Sequence, residues 1–270
     1  MKDLSRRVPV AIALIALLFL VVFAGGWFQA VILGLFAFVA VLEMRNMFRQ
    51  FDINCFCLPQ AVFGLTMFVI LYKFGVDYTA LCALLVFLAI MIERIFNKNR
   101  RVDDVMGEFT IMIYPLSIML FFGIIGFEST GVSRLALLCC FAGPCMADNT
   151  AYMVGSLIGK HKLCPHISPN KTIEGAVAGI FGGTLGGVLV WALQGIWDFS
   201  APLWFYLVVC TIIGIIGQFG DLFASTFKRR AGLKDFGHIF PGHGGVMDRI
   251  DSAMVAAPVV YALFRIFGQY

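Results

Sequence analysis

Residues 8–42 read VPVAIALIALLFLVVFAGGWFQAVILGLFAFVAVL, a run of 35 residues without one charged side chain. As a single helix this run would be roughly 50 Å long at about 1.5 Å per residue, whereas the hydrocarbon core of a bilayer is about 30 Å thick. We therefore predict two membrane-spanning helices joined by a turn at Gly25-Gly26-Trp27.

Similar runs recur along the chain, which is 60% hydrophobic and only 13% charged. A soluble domain usually carries about 25% charged residues, so this chain has too few charges to coat a water-facing surface. The sequence predicts an all-α, polytopic integral membrane protein without a soluble domain. About nine spans are expected, at residues 8–24, 27–42, 55–72, 78–92, 109–126, 135–154, 173–194, 203–223 and 252–268.

The distribution of basic residues predicts the orientation of these spans, because lysine and arginine are retained on the cytoplasmic side. With nine spans and a cytoplasmic N-terminus, 17 of the 20 lysines and arginines fall inside. We therefore expect a multi-pass protein of the cytoplasmic (inner) membrane whose C-terminus lies outside.

Three polar segments lie on the predicted cytoplasmic side, and the third contains two patterns with chemical meaning. On a helix, Asp221, Ser225 and Lys228 fall at i, i+4 and i+7 and share one face. Asp248 and Asp251 sit at i and i+3 if the ninth helix begins there. Carboxylates with hydroxyls suit a hard cation such as Mg²⁺. The polar segments are residues 148–162, 167–174 and 218–252.

Cations and glycines complete the parts for phosphoryl-type transfer, in which catalysis is mostly positioning and charge neutralisation. Lysine and arginine suit phosphate oxygens. The glycine-rich residues 241–245 would let backbone N–H groups approach an anion. Long apolar helices are predicted beside Asp148 and Asp221, and an ionisable group in such a place indicates function.

Simpler interpretations compete with these. Glu43 and Asp104 are expected to be solvated acids at the membrane boundary. Residues 228–230 alone would be an ordinary basic anchor. In the simpler interpretation Lys171 and Glu174 form only an i,i+3 surface pair, and Ser168-Pro169 is only a helix N-cap with proline at N1. The glycines of residues 179–187 are expected to permit close helix packing.

The third segment also resembles a known signature. Residues 225–251 read STFKRRAGLKDFGHIFPGHGGVMDRID, which closely resembles the signature of the phosphatidate cytidylyltransferases, or CDP-diacylglycerol synthases. The segments SPNKTIEG at 168–175 and QFGD at 218–221 are similar to that family as well. The resemblance implies that CTP and phosphatidate give CDP-diacylglycerol and pyrophosphate with Mg²⁺, so that the protein serves phospholipid biosynthesis.

The resemblance also implies roles for individual residues. Residues 1–130 would form a membrane-spanning scaffold with room for oligomer contacts, and 131–270 the catalytic region. The expected partners are CTP, phosphatidate and the bilayer, with no nucleic acid and with a homodimer left open. Asp148 would be a further metal ligand or an organiser of the basic residues. The expected catalytic residues are Asp221, Asp248, Lys228, Lys171 and Asp148, the metal ligands Asp221, Asp248 and Asp251, and the substrate-binding residues Ser225, Arg229, Lys234, His243, Gly244, Gly245 and Arg249.

Two other classes of protein remain open at this stage. In another CTP-dependent membrane enzyme, such as a polyprenol kinase, CTP would be attacked at its γ-phosphorus, and the product would be CDP instead of pyrophosphate. An ion transporter would also bury carboxylates. However, a transporter is expected to carry polar residues at mid-bilayer and on both sides, and the predicted outer half is nearly free of them.

Overall fold

The computed structural model of the chain describes residues 2–128, 131–197 and 199–267. The first helices are α1 (Lys2–Ala24), α2 (Gly26–Arg49), α3 (Leu58–Phe74), α4 (Val76–Phe96), α5 (Val102–Ile111) and α6 (Ile118–Gly126). They are followed by α7 (Gly131–Ile158), strands β1 (Lys162–Cys164) and β2 (Ser168–Thr172), α8 (Ile173–Leu193), a 3₁₀ turn (Gln194–Trp197), α9 (Leu203–Arg230) and α10 (Met247–Ile266).

The helices overlap each of the nine predicted spans, which confirms a helical multi-pass membrane protein. Among the described residues, six helical stretches are long and apolar enough to cross a bilayer, and Val8–Ala24 and Leu58–Phe74 are shorter apolar helices. Helix α10, at the ninth predicted span, also carries charged residues in its first and last turns. The count of nine and the orientation of the termini stay predictions. The two short strands are an addition to the predicted all-α fold.

The turn predicted at residues 25–27 is confirmed. Gly25 and Gly26 both have positive φ, of 58° and 51°, a conformation that glycine adopts at little cost. The helical path is therefore interrupted between α1 and α2. At the start of α2 the Trp27 ring lies edge-on to Tyr72, 5.3 Å between centroids, and the Lys73 ammonium lies 5.7 Å from the Trp27 ring.

The fifth predicted span differs from a single helix over 109–126. Its helix begins earlier, at Val102, and is interrupted by a π-helical stretch at Met112–Ser117. Tyr114 leaves helical backbone angles there, with φ −126° and ψ 102°. The next residue is Pro115, and proline disfavours helical angles in the residue before it. Hydropathy alone does not register this local effect.

Two compact units divide the chain. Unit 1 contains the described residues up to Phe127 together with Arg230–Arg249, and unit 2 contains the described residues of Glu128–Arg229 and those from Ile250 onward. The predicted functional division at residue 130 stays a prediction.

Glycines allow close helix packing in unit 2, as predicted for residues 179–187. A Cβ atom at Gly182 would lie 2.5 Å from the carbonyl oxygen of Met146 in α7. One at Gly183 would lie 2.8 Å from that of Cys210 in α9. Side chains at these positions would push the helices apart.

The prediction that Asp104 is a solvated acid is wrong. Asp104 is buried and accepts hydrogen bonds from the backbone N–H groups of Asn54, at 2.7 Å, and Arg101, at 2.9 Å. Nearby, Arg100 forms ion pairs with Glu93 and Glu108. Burial alone would lower the pKa of Arg100, but the two glutamates raise it above its ordinary value, so the guanidinium stays charged.

The same prediction for Glu43 is also wrong. Glu43 is buried in unit 1, where its carboxylate accepts backbone N–H groups from Val246 and Met247. Both errors have one physical cause. An acid near the membrane boundary needs no water when backbone N–H groups supply hydrogen bonds. The donors Asn54, Val246 and Met247 are distant in sequence from the acids that accept them.

Candidate functional site

A β-hairpin in unit 2 leads into α8. Strands β1 and β2 are antiparallel, with Lys162 opposite Thr172. The Thr172 hydroxyl caps α8 by accepting the N–H of Gly175 at 3.1 Å. The alternative in which Ser168-Pro169 begins the helix is therefore wrong. Those two residues extend along β2, because the threonine four residues later supplies the capping oxygen.

The hairpin is tied to α9 by two cationic side chains. The Lys171 ammonium lies 2.6 Å from Oδ2 of Asp221, and Nε of Arg229 donates to the carbonyl oxygen of Ile167 at 3.1 Å. The alternative surface pair of Lys171 with Glu174 is not formed. Glu174 instead lies 2.7 Å from Nδ1 of His161.

Helix α9 carries Asp221, Ser225 and Lys228 on one face, as its continuous helical path requires. Ser225 and Lys228 are buried, and the Lys228 ammonium lies 3.9 Å from Oδ2 of Asp251. A basic anchor made of residues 228–230 would expose all three side chains. Only Arg229 and Arg230 are exposed, so that alternative is wrong for Lys228.

Ser252 joins two of the predicted carboxylates and was absent from the predicted site. Its hydroxyl lies 3.3 Å from Oδ2 of Asp148 and 3.5 Å from Oδ1 of Asp251, and its N–H donates to the same Asp251 oxygen at 2.8 Å. Its place directly after Asp251 in the sequence was the available signal. We call Asp148, Lys171, Asp221, Ser225, Lys228, Asp251 and Ser252 the carboxylate cluster.

Charge in the carboxylate cluster favours a bound cation. Asp148 and Asp221 lie close enough to Asp251 to repel its carboxylate, and Lys228 attracts it. The cluster has three carboxylates and two ammonium groups, so its formal charge is negative. The atoms that could bind a metal are all oxygen, which fits Mg²⁺. Among residues 2–128, 131–197 and 199–267, however, no three carboxylate, imidazole or thiol side chains converge on one metal position.

Unit 1 contains a polar cavity of about 540 Å³ in the loop between α9 and α10. Three of the predicted phosphate-binding side chains, Lys234, His243 and Arg249, line it together with Gly244. His238 and Phe240 line it as well and were missed by sequence reasoning, although both lie inside the quoted signature. The remaining lining residues are Asp235, Pro241 and Gly242.

Asp248 fixes the shape of this loop. Its Oδ2 atom accepts the N–H groups of Phe236, at 2.8 Å, and Gly245, at 3.0 Å. The Gly245 N–H is thus used inside the loop, and the role of Gly245 in substrate binding stays a prediction. Gly244 has φ +80°, and a Cβ atom there would lie 2.8 Å from the same Asp248 oxygen. Glycine at 244 is therefore required by both backbone angle and space.

Known proteins similar to this chain are described as cytidylyltransferases. A sequence model described as the cytidylyltransferase family matches residues 5–267. A phosphatidate cytidylyltransferase of Staphylococcus epidermidis is 34% identical over 267 residues, covering 95% of this chain and 98% of the relative. Those of Staphylococcus saprophyticus and Staphylococcus aureus are 34% and 33% identical over 263 residues, each covering 96% of this chain and 97% of the relative.

Proposed function

Because this chain belongs to the cytidylyltransferase family, we propose that it transfers the cytidylyl group of CTP to phosphatidate, forming CDP-diacylglycerol and pyrophosphate. The observation that carries the proposal is the carboxylate cluster. Its three carboxylates and two ammonium groups lie together at the ends of apolar helices. Phosphatidate is a membrane lipid, and the apolar helices place the protein in the bilayer where this substrate lies. We further propose that the reaction occurs at the cytoplasmic face, from which CTP arrives.

In this reaction an oxygen of the lipid phosphate attacks the α-phosphorus of CTP, and the bond to the pyrophosphate oxygen breaks. No covalent enzyme nucleophile is needed, because the substrate itself attacks. The residues that line the unit 1 cavity bind the triphosphate through Lys234, His243 and Arg249. In unit 2, Lys171, Lys228 and Arg229 supply positive charge to phosphate oxygens.

The metal is proposed to be Mg²⁺. Asp221 and Asp251 in unit 2 would hold it, with Ser225 as a neighbouring hydroxyl and with Asp148 as a further ligand or as an organiser of the basic residues. Asp248 in unit 1 stays a ligand proposed from its sequence pattern. Its carboxylate has acceptor capacity beyond the two backbone bonds that Oδ2 receives. When bound, Mg²⁺ neutralises charge on the phosphates and on the leaving pyrophosphate.

The reaction, its metal and its membrane face are testable together. Sealed membrane vesicles with the cytoplasmic face outward should release pyrophosphate from added CTP and phosphatidate, since CTP does not cross the bilayer. Vesicles of the opposite orientation should do so only after detergent is added. Chelating Mg²⁺ should reduce the rate at least about 100-fold, and adding it back should restore the rate.

Three results would contradict parts of the proposal. Release of CDP instead of pyrophosphate would indicate a kinase. Equal rates in both intact vesicle preparations would contradict the cytoplasmic face. Full activity after chelation would show that the reaction does not require Mg²⁺.

The lipid head group is proposed to meet Lys171 and Arg229. The acyl chains of phosphatidate are costly to move into water, at about 0.8 kcal/mol per CH₂ group, so only the head group should enter the polar region. Lys171→Met or Arg229→Met should raise the apparent KM for phosphatidate at least fivefold and that for CTP less than twofold. Steady-state kinetics in mixed micelles measure both values.

Arg230→Met provides a matched control, because Arg230 is also exposed and directly follows Arg229. It should leave both KM values within twofold of the unchanged protein. If the Lys171 and Arg229 variants changed only the KM for CTP, these residues would instead serve the nucleotide.

A further inference from the structure

Glu43 lies in α2, yet its carboxylate contacts the loop that forms the unit 1 cavity. It is buried, with 4% of its surface exposed. Its Oε1 atom accepts the N–H of Val246 at 2.9 Å, and its Oε2 atom accepts the N–H of Met247 at 2.8 Å. Both oxygens are therefore used by adjacent backbone amides at the beginning of α10.

This contact is favourable for a reason beyond the two hydrogen bonds. The first N–H groups of a helix have no partner within the helix, and the helix dipole makes its N-terminus positive. A carboxylate at this position meets both needs. Without it, two N–H groups would lose their hydrogen-bond partners, which destabilises the loop.

Two glycines make room for the Glu43 carboxylate. A Cβ atom built at Gly245 would lie 2.5 Å from its Cδ atom, and one built at Gly237 would lie 2.9 Å from the same atom. Neither glycine has the positive φ that would require glycine for backbone reasons. Space for this carboxylate therefore accounts for both.

The amides of three consecutive residues are now fixed by two carboxylates. Asp248 receives the N–H of Gly245, and Glu43 receives those of Val246 and Met247. These residues directly follow His243 and Gly244, and Asp248 alone separates them from Arg249. His243, Gly244 and Arg249 line the cavity. A change at Glu43 is therefore expected to shift the backbone of residues 245–247 and, with it, the residues that line the cavity.

We propose that Glu43 is a positioning residue for substrate binding, which holds the loop of residues 234–249 in the shape that binds the triphosphate. The proposal rests on the proposed function, because it takes CTP as the ligand of the cavity. Glu43 itself touches neither substrate. It acts through the amides at the start of α10.

Glu43→Gln tests the proposal with two independent measurements. Glutamine offers one acceptor oxygen and no charge, so one of the two amides must lose its partner. Hydrogen exchange followed by mass spectrometry should show at least tenfold faster exchange for the amides of residues 245–247. The apparent KM for CTP should rise at least tenfold, while that for phosphatidate stays within twofold.

Gly237→Ala provides a second variant if Glu43→Gln does not fold. Its added methyl group displaces the carboxylate while leaving the charge in place. It should raise the KM for CTP in the same direction, and Glu43→Asp, which keeps the charge, should recover part of the loss caused by glutamine.

Glu108→Gln is the matched control. Glu108 is equally buried in unit 1, pairs with Arg100 and accepts the N–H of Phe56, but lies outside the loop. It should lower the thermal unfolding temperature and leave the KM for CTP within twofold.

Unchanged exchange in Glu43→Gln, or faster exchange with both KM values unchanged, would overturn the positioning role. A wild-type protein that releases no pyrophosphate from CTP would instead contradict the proposed function, whatever the exchange measurement shows.

Discussion

Asp221→Asn is expected to lower the turnover number at least about 100-fold while leaving the protein folded. Asparagine keeps the shape of the side chain but cannot neutralise a cation or the Lys171 ammonium, and loss of one such electrostatic group typically reduces turnover by about 10² to 10³. The Lys171 and Asp221 side chains are 25% and 27% exposed. An ion pair between partly buried side chains contributes less to stability than a fully buried one, so the unfolding temperature should fall less than in Lys228→Met.

Asp248→Asn should behave differently, and the contrast is informative. Oδ2 of Asp248 accepts two backbone N–H groups inside the loop, so this change should lower turnover and thermal stability together. Pyrophosphate release at saturating Mg²⁺ and thermal unfolding in detergent measure the two effects. Asp103→Asn, at an exposed position at the start of α5, is the control. Normal turnover of Asp221→Asn would show that Asp221 is not a metal ligand.

Lys228→Met should have the second large effect. The Lys228 and Asp251 side chains are only 8% and 9% exposed, and removing one partner of a buried ion pair costs about 3–5 kcal/mol. Asp251 would then lie near Asp148 and Asp221 without this compensating charge. We expect turnover to fall at least about 100-fold and the free energy of unfolding to fall by about 3 kcal/mol.

Lys228→Arg keeps the positive charge and should retain more activity than Lys228→Met. Arg230→Met removes a charge two residues away, at an exposed side chain whose guanidinium lies 5.9 Å from the Phe51 ring. It should change neither turnover nor stability appreciably. If Lys228→Met and Arg230→Met gave the same small loss, the basic residues at the end of α9 would act only through their summed charge.

Most of the helices could be predicted from the sequence, because the property that forms them is local. A charge-free run of the right length must form its hydrogen bonds internally within a bilayer, and the need for a turn within residues 8–42 followed from their length. The interruption at Tyr114 and the strands β1 and β2 were missed. Backbone angles before a proline and the pairing of short polar segments leave no trace in hydropathy.

The candidate site divides in the same way. The face shared by Asp221, Ser225 and Lys228 follows from helical spacing, and the cations that surround it were recognisable by residue type. The pairing of Lys171 with Asp221 was not, because it depends on where the hairpin meets α9. Glu43 was misjudged most clearly, since its partners lie 203 and 204 residues further along the chain.

The long separation between Glu43 and its partners also bears on biosynthesis. A ribosome delivers α2 early, and the amides of Val246 and Met247 emerge some 200 residues later. At about 5–20 residues per second, that interval lasts on the order of 10–40 s. Throughout it, the nascent chain carries a carboxylate that lacks its two native donors and that burial would penalise. A chain that stops before residue 246 never acquires them. The hydrogen bonds of Glu43 can therefore form only after translation has passed the loop. In an interrupted chain the Glu43 carboxylate keeps its negative charge without these two donors.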